Sequence, residues 1–332
     1  MTEFKLIIFL TILVNFLFYL NLEFFAKKIN VFDSPDCKRK IHKIKVPAIG
    51  GVIFIFNIIL FLLLNFFFSF DINNINLEYL IFVLLAIFVL GFYDDKFDLN
   101  SNLKLVLFVI IITIYFFLDK NQIIQQLRFS TLNENIELNN YSLIFTVLSV
   151  VIFINAFNLY DGINGQSGLY SIIIFLFLIY KNQFILLSIL VIICLVFFLY
   201  NNFKNKIFLG DAGSLTISFL FSILIINYYQ KSNIFVCEEI FILMMIPGLD
   251  MIRLFIQRIL KNRNPLKADN NHLHHLLLKK YSLNITIAIN FFLMFIPVLL
   301  MILGINHLII IVSFFCLYLI IIYKLSYKKF RS

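Results

Sequence analysis

Long apolar runs alternate with short polar segments along the whole chain of 332 residues. Because about 20 apolar residues cross a bilayer as a helix, we interpret each run as a membrane-spanning helix. The pattern predicts eleven spans, at 5–25, 48–68, 77–93, 103–118, 142–158, 169–181, 184–200, 214–229, 237–256, 284–302 and 308–323. The run at 169–181 is short and barely separated from the next, so a count of ten remains open. The expected fold class is an all-α integral membrane protein with one multispan domain over residues 1–332.

The composition agrees with a membrane protein. Hydrophobic residues make up 62% of the chain, charged residues only 14%, and the mean hydropathy is +0.98, whereas a soluble domain carries about 25% charged residues. The first run could be a signal peptide, but it lacks an A-x-A-like cleavage site and further spans follow, so we expect an uncleaved helix. The four cysteines lie far apart without a CxxC pair, which argues against a disulfide framework or a thiolate metal site.

The basic residues predict the orientation in the membrane. If the N-terminus lies outside, all but five of the 27 Lys and Arg residues fall in cytoplasmic segments or the C-terminal tail, as the positive-inside rule requires. The net charge of +9 therefore gives no reason to expect nucleic acid as a partner. The polar clusters of unusual composition then all lie in cytoplasmic loops, at about 26–51, 94–104, 155–168, 201–214 and 253–283, with the C-terminus also cytoplasmic.

Two acidic clusters lie at span ends on this predicted face. Asp94 and Asp95 follow an apolar run in GFYDDKFD, and Asp211 precedes another in FLGDAGS. Adjacent carboxylates at a membrane boundary are costly, and a divalent cation would offset that cost. Mg²⁺ binds one or two carboxylates together with phosphate oxygens and waters. A solvated loop for the first cluster and a helix cap for the second are the simpler alternatives.

The stretch NAFNLYDGINGQSG, residues 155–168, combines amides, an acid and three glycines. Asn155, Asn158 and Asp161 recur every third residue and so share one helix face. A glycine-rich turn between two helices is the simpler explanation, for which a single Gly would suffice. The composition favours a loop that folds closely around a polar ligand.

Basic and histidine-rich segments predict phosphate binding. KIHKIKVPAIGG places His42 and Lys43 before a Gly pair, a combination suited to an anion. For the lysines taken alone, a positive-inside flank before a helix start is the simpler explanation. The segment ADNNHLHHLLL contains three histidines, and the spacing of Asp269, His272 and His275 would put all three on one helical face. Zinc is an alternative ligand. The surrounding cations, among them Arg258, favour phosphate over zinc.

Taken together, the clusters resemble the polyprenyl-phosphate N-acetylhexosamine-1-phosphate transferase family, over roughly residues 35–285. Five motifs appear in order: H-x-x-x-x-P-x-x-G-G from His42, the pair Asp94-Asp95, N-x-x-N-x-x-D-G-x-N-G from Asn155, G-D-x-G-S from Gly210, and H-x-H-H from His272. The last motif resembles the branch that starts O-antigen, enterobacterial common antigen or teichoic acid linkage units. The family often has Asp where Asn164 stands and an apolar residue where Gln166 stands, so these two positions depart from its pattern.

The resemblance implies transfer of N-acetylhexosamine-1-phosphate from a UDP-sugar to undecaprenyl phosphate with release of UMP, with GlcNAc as the expected sugar. It implies Mg²⁺ as cofactor, with Mn²⁺ able to substitute, a bacterial inner-membrane location with a cytoplasmic active site, and allows a homodimer. The residues it assigns to catalysis are Asp94, Asp95, Asp161 and Asp211, with Asp211 and Asp161 as metal ligands. Those assigned to substrate binding are His42, Lys43, Asn155, Asn158, Asn164, Arg258, His272, His274 and His275.

Two other functions fit part of the pattern. An intramembrane prenyltransferase also uses Asp-rich motifs and Mg²⁺, but it has no place for H-x-H-H or G-D-A-G-S. A transporter would carry its polar residues and helix breaks near the bilayer midplane, whereas these acids lie at span ends on one side.

Overall fold

The computed structural model describes residues 2–34, 45–68, 75–232, 235–264 and 269–326. It is almost wholly helical, as expected. In chain order its α-helices are α1 Thr2–Leu20, α2 Leu22–Ile29, α3 Gly50–Phe68, α4 Leu77–Phe97, α5 Ser101–Leu118, α6 Ser142–Tyr160, α7 Gln166–Tyr180, α8 Ile185–Asn202, α9 Gly210–Lys231, α10 Cys237–Leu260, α11 Leu273–Leu278, α12 Leu283–Ile302 and α13 His307–Ser326.

Ten of the eleven predicted spans each fall on one of these helices, and the first, 5–25, falls on both α1 and α2. Among the described helices, seven are long and apolar enough to cross a bilayer, or eight if the bent pair α1–α2 counts as one span. Helix α7 and the apolar part of α3, Gly50–Asn65, are shorter, and α10 carries several charged residues, among them Glu238, Glu239 and Asp250. The structure therefore supports an all-helical membrane protein with seven to eight long apolar helices.

Several predicted boundaries were wrong. The first predicted span breaks at Asn21, where α2 turns away from α1 by 70°. The acids predicted in loops lie in helices instead: Asp94 and Asp95 occupy the last turn of α4, and Asp211 the first turn of α9. Helix propensity and packing extend the helices past the last apolar residue, so the polar loops are shorter than the hydropathy pattern indicates.

Two small antiparallel strand pairs also interrupt the helical fold, which the sequence did not predict. β1 Phe32–Asp33 pairs with β2 Val46–Pro47, and β3 Gln126–Leu127 pairs with β4 Ile136–Glu137. The first pair leads into α3, whose opening amides continue the connection: Gly50 N–H donates to the Phe208 carbonyl over 2.9 Å. The start of α3 is thereby fixed to the segment that leads into α9.

Helix α9 lies at the centre of the bundle and is almost completely buried, whereas the outer helix α13 is mostly exposed to the surroundings. Helix α9 packs against α3, α4 and α6. The closest contacts are between backbones. A Cβ on Gly51 would lie 2.3 Å from Gly213 N, and one on Gly91 would lie 2.7 Å from Ala212 N. Glycine is required there because any side chain would separate the helices, and this contact brings the acid-bearing ends of α4 and α9 together.

Candidate active site

The predicted acidic clusters meet at one end of the bundle, where α4 ends and α9 begins. Asp95 joins the two helices: its Oδ1 accepts from the Asp211 backbone N–H over 2.8 Å, and its Oδ2 accepts from the Ala212 N–H over 2.9 Å. These are donors that a helix N-terminus leaves unpaired, and a carboxylate there is also favoured by the helix dipole. Asp95 therefore caps α9 from a neighbouring helix.

Asp94 and Asp211 converge on the ammonium group of Lys104. The Lys104 Nζ lies 2.7 Å from Asp94 Oδ2, and it also donates a hydrogen bond to Asp211 Oδ2. The other Asp94 oxygen accepts from the Leu99 N–H over 2.7 Å. Sequence reasoning missed Lys104, because a lone lysine at the start of a predicted span reads as part of the positive-inside bias. Two carboxylates that are 117 residues apart in sequence thus share one cation position.

The polar stretch after α6 supplies the next wall of the site. The Asn158 side chain lies near the Asp211 carboxylate. Asp161 ends α6 and accepts a hydrogen bond from Ser167 Oγ. Burial raises the pKa of the Asp161 carboxyl to about 7, with the Ser167 hydrogen bond lowering that pKa and the nearby Asp211 charge raising it. A buried acid beside a second acid is suited to a cation.

Two amides of this stretch have other contacts. The Asn155 Nδ2 donates to the Val151 carbonyl of its own helix over 2.8 Å. The Asn164 Nδ2 donates to the Asn202 carbonyl over 2.9 Å and to Asn205 Oδ1 over 2.7 Å. Asn164 therefore holds the loop before α7 to the end of α8, which requires an amide donor and explains an Asn at this position.

The histidine segment approaches the acids through His274 and Gly162. A Cβ on Gly162 would lie 2.1 Å from His274 Nε2, so the buried imidazole rests directly on the loop after Asp161. Burial lowers the pKa of His274, and the neighbouring His275 and His272 lower it further. The His274 and His275 rings lie 4.3 Å apart between centroids. The neutral ring of His274 accordingly packs beside the acidic wall.

His272 is held by an acid that sequence reasoning missed. Its Nδ1 lies 2.9 Å from Oδ2 of Asp250, a buried residue of α10. The predicted single helical face for Asp269, His272 and His275 is wrong, because α11 begins only at Leu273. Asp269 instead accepts from Arg258 Nε over 3.0 Å.

The Arg258–Asp269 pair closes the outer part of this segment. Asp269 Oδ1 also accepts from the Asn271 N–H over 2.8 Å. Burial raises the pKa of Asp269, but the hydrogen bonds from Arg258 and from that N–H outweigh it, so the net pKa is lowered and the carboxylate stays charged. His42 and Lys43 lie outside the described residues.

A Mg²⁺ ion fits the donors present at the acid cluster. Asp94 and Asp211 already share a single cation, and the buried Asp161 interacts electrostatically with Asp211. Over the described ranges, no three side chains among His, Cys, Asp and Glu are already grouped as ligands. Mg²⁺ does not need three, since it commonly takes one or two carboxylates and completes its octahedron with phosphate oxygens and waters.

The fold is that of a helical membrane protein whose bundle brings Asp94, Asp211 and Lys104 together at one end. Residues 77–229 match the sequence profile of glycosyl transferase family 4. The matched region carries all four candidate catalytic acids and Lys104.

Individual relatives extend the similarity beyond that region. The chain is 27% identical to the undecaprenyl-phosphate alpha-N-acetylglucosaminyl 1-phosphate transferase of Thermotoga maritima, over 85% of this chain and 86% of the relative. It is 28% identical to the enzyme of the same name from Salmonella typhi, over 76% of this chain and 71% of the relative. It is also 30% identical to the phospho-N-acetylmuramoyl-pentapeptide-transferase of Prochlorococcus marinus, over 58% of this chain and 59% of the relative.

Proposed function

We propose that the protein transfers N-acetylhexosamine-1-phosphate, with GlcNAc as the sugar, from a UDP-sugar to undecaprenyl phosphate and releases UMP. The lipid-linked product would start a cell-surface glycan. The observation that carries this proposal is the convergence of Asp94 and Asp211 on one cation position, beside Asp161, at the polar end of an apolar bundle. The names of the relatives supply the substrate class.

The proposal includes the membrane arrangement. Eleven spans with an outside N-terminus would place the site on the cytoplasmic face of a bacterial inner membrane, where a nucleotide sugar is available. The packing supports a single polar face, because the ends of α4, α6 and α8 meet the starts of α3, α7 and α9 there. The proposal also includes a homodimer. Measuring the mass of the purified protein in detergent would test it.

In the proposed reaction, an oxygen of the lipid phosphate attacks the β-phosphorus of the UDP-sugar. The bond from that phosphorus to the bridging oxygen breaks, and UMP leaves with the electron pair. Phosphoryl transfer of this kind depends on positioning and on neutralising charge. Bound Mg²⁺, held by Asp211 and Asp161, would supply charge neutralisation at the diphosphate.

The chain's own residues have distinct tasks in this scheme. We assign orientation of the lipid phosphate and uptake of its proton to Asp94, because Asp94 Oδ2 contacts the side chain of Lys104, whereas both oxygens of Asp95 are held by backbone N–H groups of α9. Asn158, whose side chain lies near Asp211, would help to orient that carboxylate. Arg258 and the three histidines would bind phosphate oxygens, with His272 fixed by Asp250.

The relatives do not favour the two alternative functions. Over most of its length the chain is similar to proteins that are named as sugar-phosphate transferases, and not as prenyltransferases or transporters. A transporter would be supported instead by counterflow of a labelled solute without a covalent product.

The decisive experiment incubates washed membranes with undecaprenyl phosphate and each of several UDP-N-acetylhexosamines. Mass spectrometry identifies the lipid product, and UMP release gives the rate. Only a donor-dependent diphospholipid together with UMP agrees with the proposal. A geranyl diphosphate assay in parallel tests the prenyltransferase alternative.

A matched pair of acid variants tests the site itself. Asp211→Asn should abolish UMP release. Asp119→Asn is the control, because Asp119 is equally an acid at a helix end but ends α5 at the opposite end from Lys104. Release close to wild type from Asp211→Asn would remove Asp211 from the metal role.

A further inference from the structure

A buried polar network joins the last helix of the bundle to the histidine segment. At its centre is Asp250, 5% exposed. Its Oδ1 accepts from the Tyr318 hydroxyl over 2.8 Å and from Arg253 Nη2 over 2.7 Å. The Tyr318 hydroxyl accepts in turn from Arg253 Nε over 2.8 Å. Tyr318 is 1% exposed, so the three side chains form a closed triangle away from water.

The other side of Asp250 holds His272 and its backbone. Asp250 Oδ2 contacts His272 Nδ1, and both carboxylate oxygens lie 3.2 Å from the Leu273 N–H. Arg253 Nη2 also donates to the Asn271 carbonyl over 2.7 Å. Because a carboxylate can only accept, Nδ1 carries a hydrogen, and Nε2 is left to donate to a phosphate oxygen when the ring is protonated. The ring and the backbone on both sides of it are therefore fixed.

The position of Tyr318 makes this network notable. Tyr318 lies in α13, outside the region 77–229 that matches the family profile and outside the motif-bearing residues 35–285. Its hydroxyl is linked to the His272 ring through Asp250, and through Arg253 to the backbone carbonyl of Asn271.

We propose that Tyr318 is a positioning residue of the phosphate site, acting through Asp250 to fix the ring of His272. This inference rests on the proposed function, since it assigns His272 to substrate phosphate. Loss of the hydroxyl leaves Arg253 Nε without its acceptor and Asp250 Oδ1 with one donor fewer. A buried carboxylate that loses a hydrogen bond turns to recover one, and the His272 ring moves with it.

The test compares Tyr318→Phe with Tyr115→Phe. Tyr115 is equally buried, and its hydroxyl has no hydrogen-bond partner in the described residues. A hydrogen bond to a charged group contributes enough that its loss should lower kcat/KM for UMP release about tenfold in Tyr318→Phe. Tyr115→Phe should keep the wild-type rate.

Making Tyr318→Phe in both the wild type and a His272 variant distinguishes a positioning role from general destabilisation. In a His272→Gln enzyme, Tyr318→Phe should cause no further loss in residual rate, because the two changes remove one interaction chain. An equal loss in both backgrounds would overturn the proposal. So would an unchanged rate for Tyr318→Phe in an enzyme whose wild type is active.

A second readout does not depend on activity. Modification of His272 by diethyl pyrocarbonate, followed by mass spectrometry of the peptide, should be faster in Tyr318→Phe than in wild type or Tyr115→Phe. Equal rates would also overturn the proposal, whereas a wild type inactive with every donor would instead defeat the proposed function. Should Tyr318→Phe fail to fold, Arg253→Lys, which loses the Nε contact but keeps the charge, should raise the modification rate in the same way.

Discussion

Lys104 should stabilise the acid cluster in the absence of a divalent cation. Its ammonium lies 2.7 Å from Asp94 Oδ2, which corresponds to a gross attraction of about 6 kcal/mol at an effective dielectric constant of about 20. Its side chain is 16% exposed and that of Asp94 11%, so water screens the pair little. Desolvation offsets part of the attraction, and breaking a buried pair by removing one partner costs about 3–5 kcal/mol. Lys104→Met should lower the free energy of unfolding by that amount in Mg²⁺-free detergent solution.

Mg²⁺ should then restore more stability to Lys104→Met than it adds to the wild type. The reason is that removal of Lys104 leaves Asp94 and Asp211 without a cation between them, and a divalent cation can take that position. The assay is denaturant or thermal unfolding at a series of Mg²⁺ concentrations, read by intrinsic tyrosine fluorescence or by loss of monodisperse protein.

Lys181→Met is the matched control. Lys181 forms a comparable pair with Glu239 Oε1 over 2.8 Å, but it follows α7 at the end of that helix away from the acids. This variant should lose stability without gaining any special response to Mg²⁺. If Lys104→Met and Lys181→Met respond equally to Mg²⁺, the cation position between Asp94 and Asp211 is not a metal site.

Three further substitutions test the walls of the site. Gly162→Ala should lower the folded yield measured by size-exclusion chromatography, because its methyl group would meet the His274 ring. Adding His274→Ala should recover that yield, and no recovery would contradict this contact. The pKa of Asp161 is raised to about 7 from an ordinary 3.8. The free energy of unfolding in metal-free solution should therefore fall as the pH rises between those values, because only the folded state keeps the proton there. Asp161→Asn should flatten this part of the plot of unfolding free energy against pH, and an unchanged slope would refute the assignment. Asn164→Asp removes the hydrogen bonds that the amide donates to the Asn202 carbonyl and to Asn205 Oδ1, so it should lower the unfolding temperature. An unchanged unfolding temperature would show that the amide is not needed.

The helices could be predicted from the sequence because hydropathy responds directly to the membrane. All the apolar runs are helical, although the first is divided at Asn21, and the acids were found because charge at the end of such a run is costly. The positions of the helix ends were predicted less well, since capping by groups on other helices decides them. Asp95 caps α9, and its sequence gives no indication of which backbone amides it contacts.

The convergence of the site could be predicted only in part. Motif order indicated that Asp94, Asp161 and Asp211 act together, but nothing in the local sequence joins Lys104 to acids so far along the chain. Asp250 did leave a signal: an acid inside the apolar run MMIPGLDMIRLF, with an Arg three residues later. Such an acid within a span indicates a buried partner, and the sequence interpretation treated it as part of a plain span.

The contact among α3, α4 and α9 has a consequence for how the protein responds to its bilayer. Gly51, Gly91 and Gly213 bring backbone against backbone, so no side chain there can change rotamer to let the helices slide. Changes in bilayer thickness must then be accommodated elsewhere, by tilt of peripheral helices such as α13. The distance between the carboxylates of α4 and α9 should consequently remain the same in thin and thick membranes.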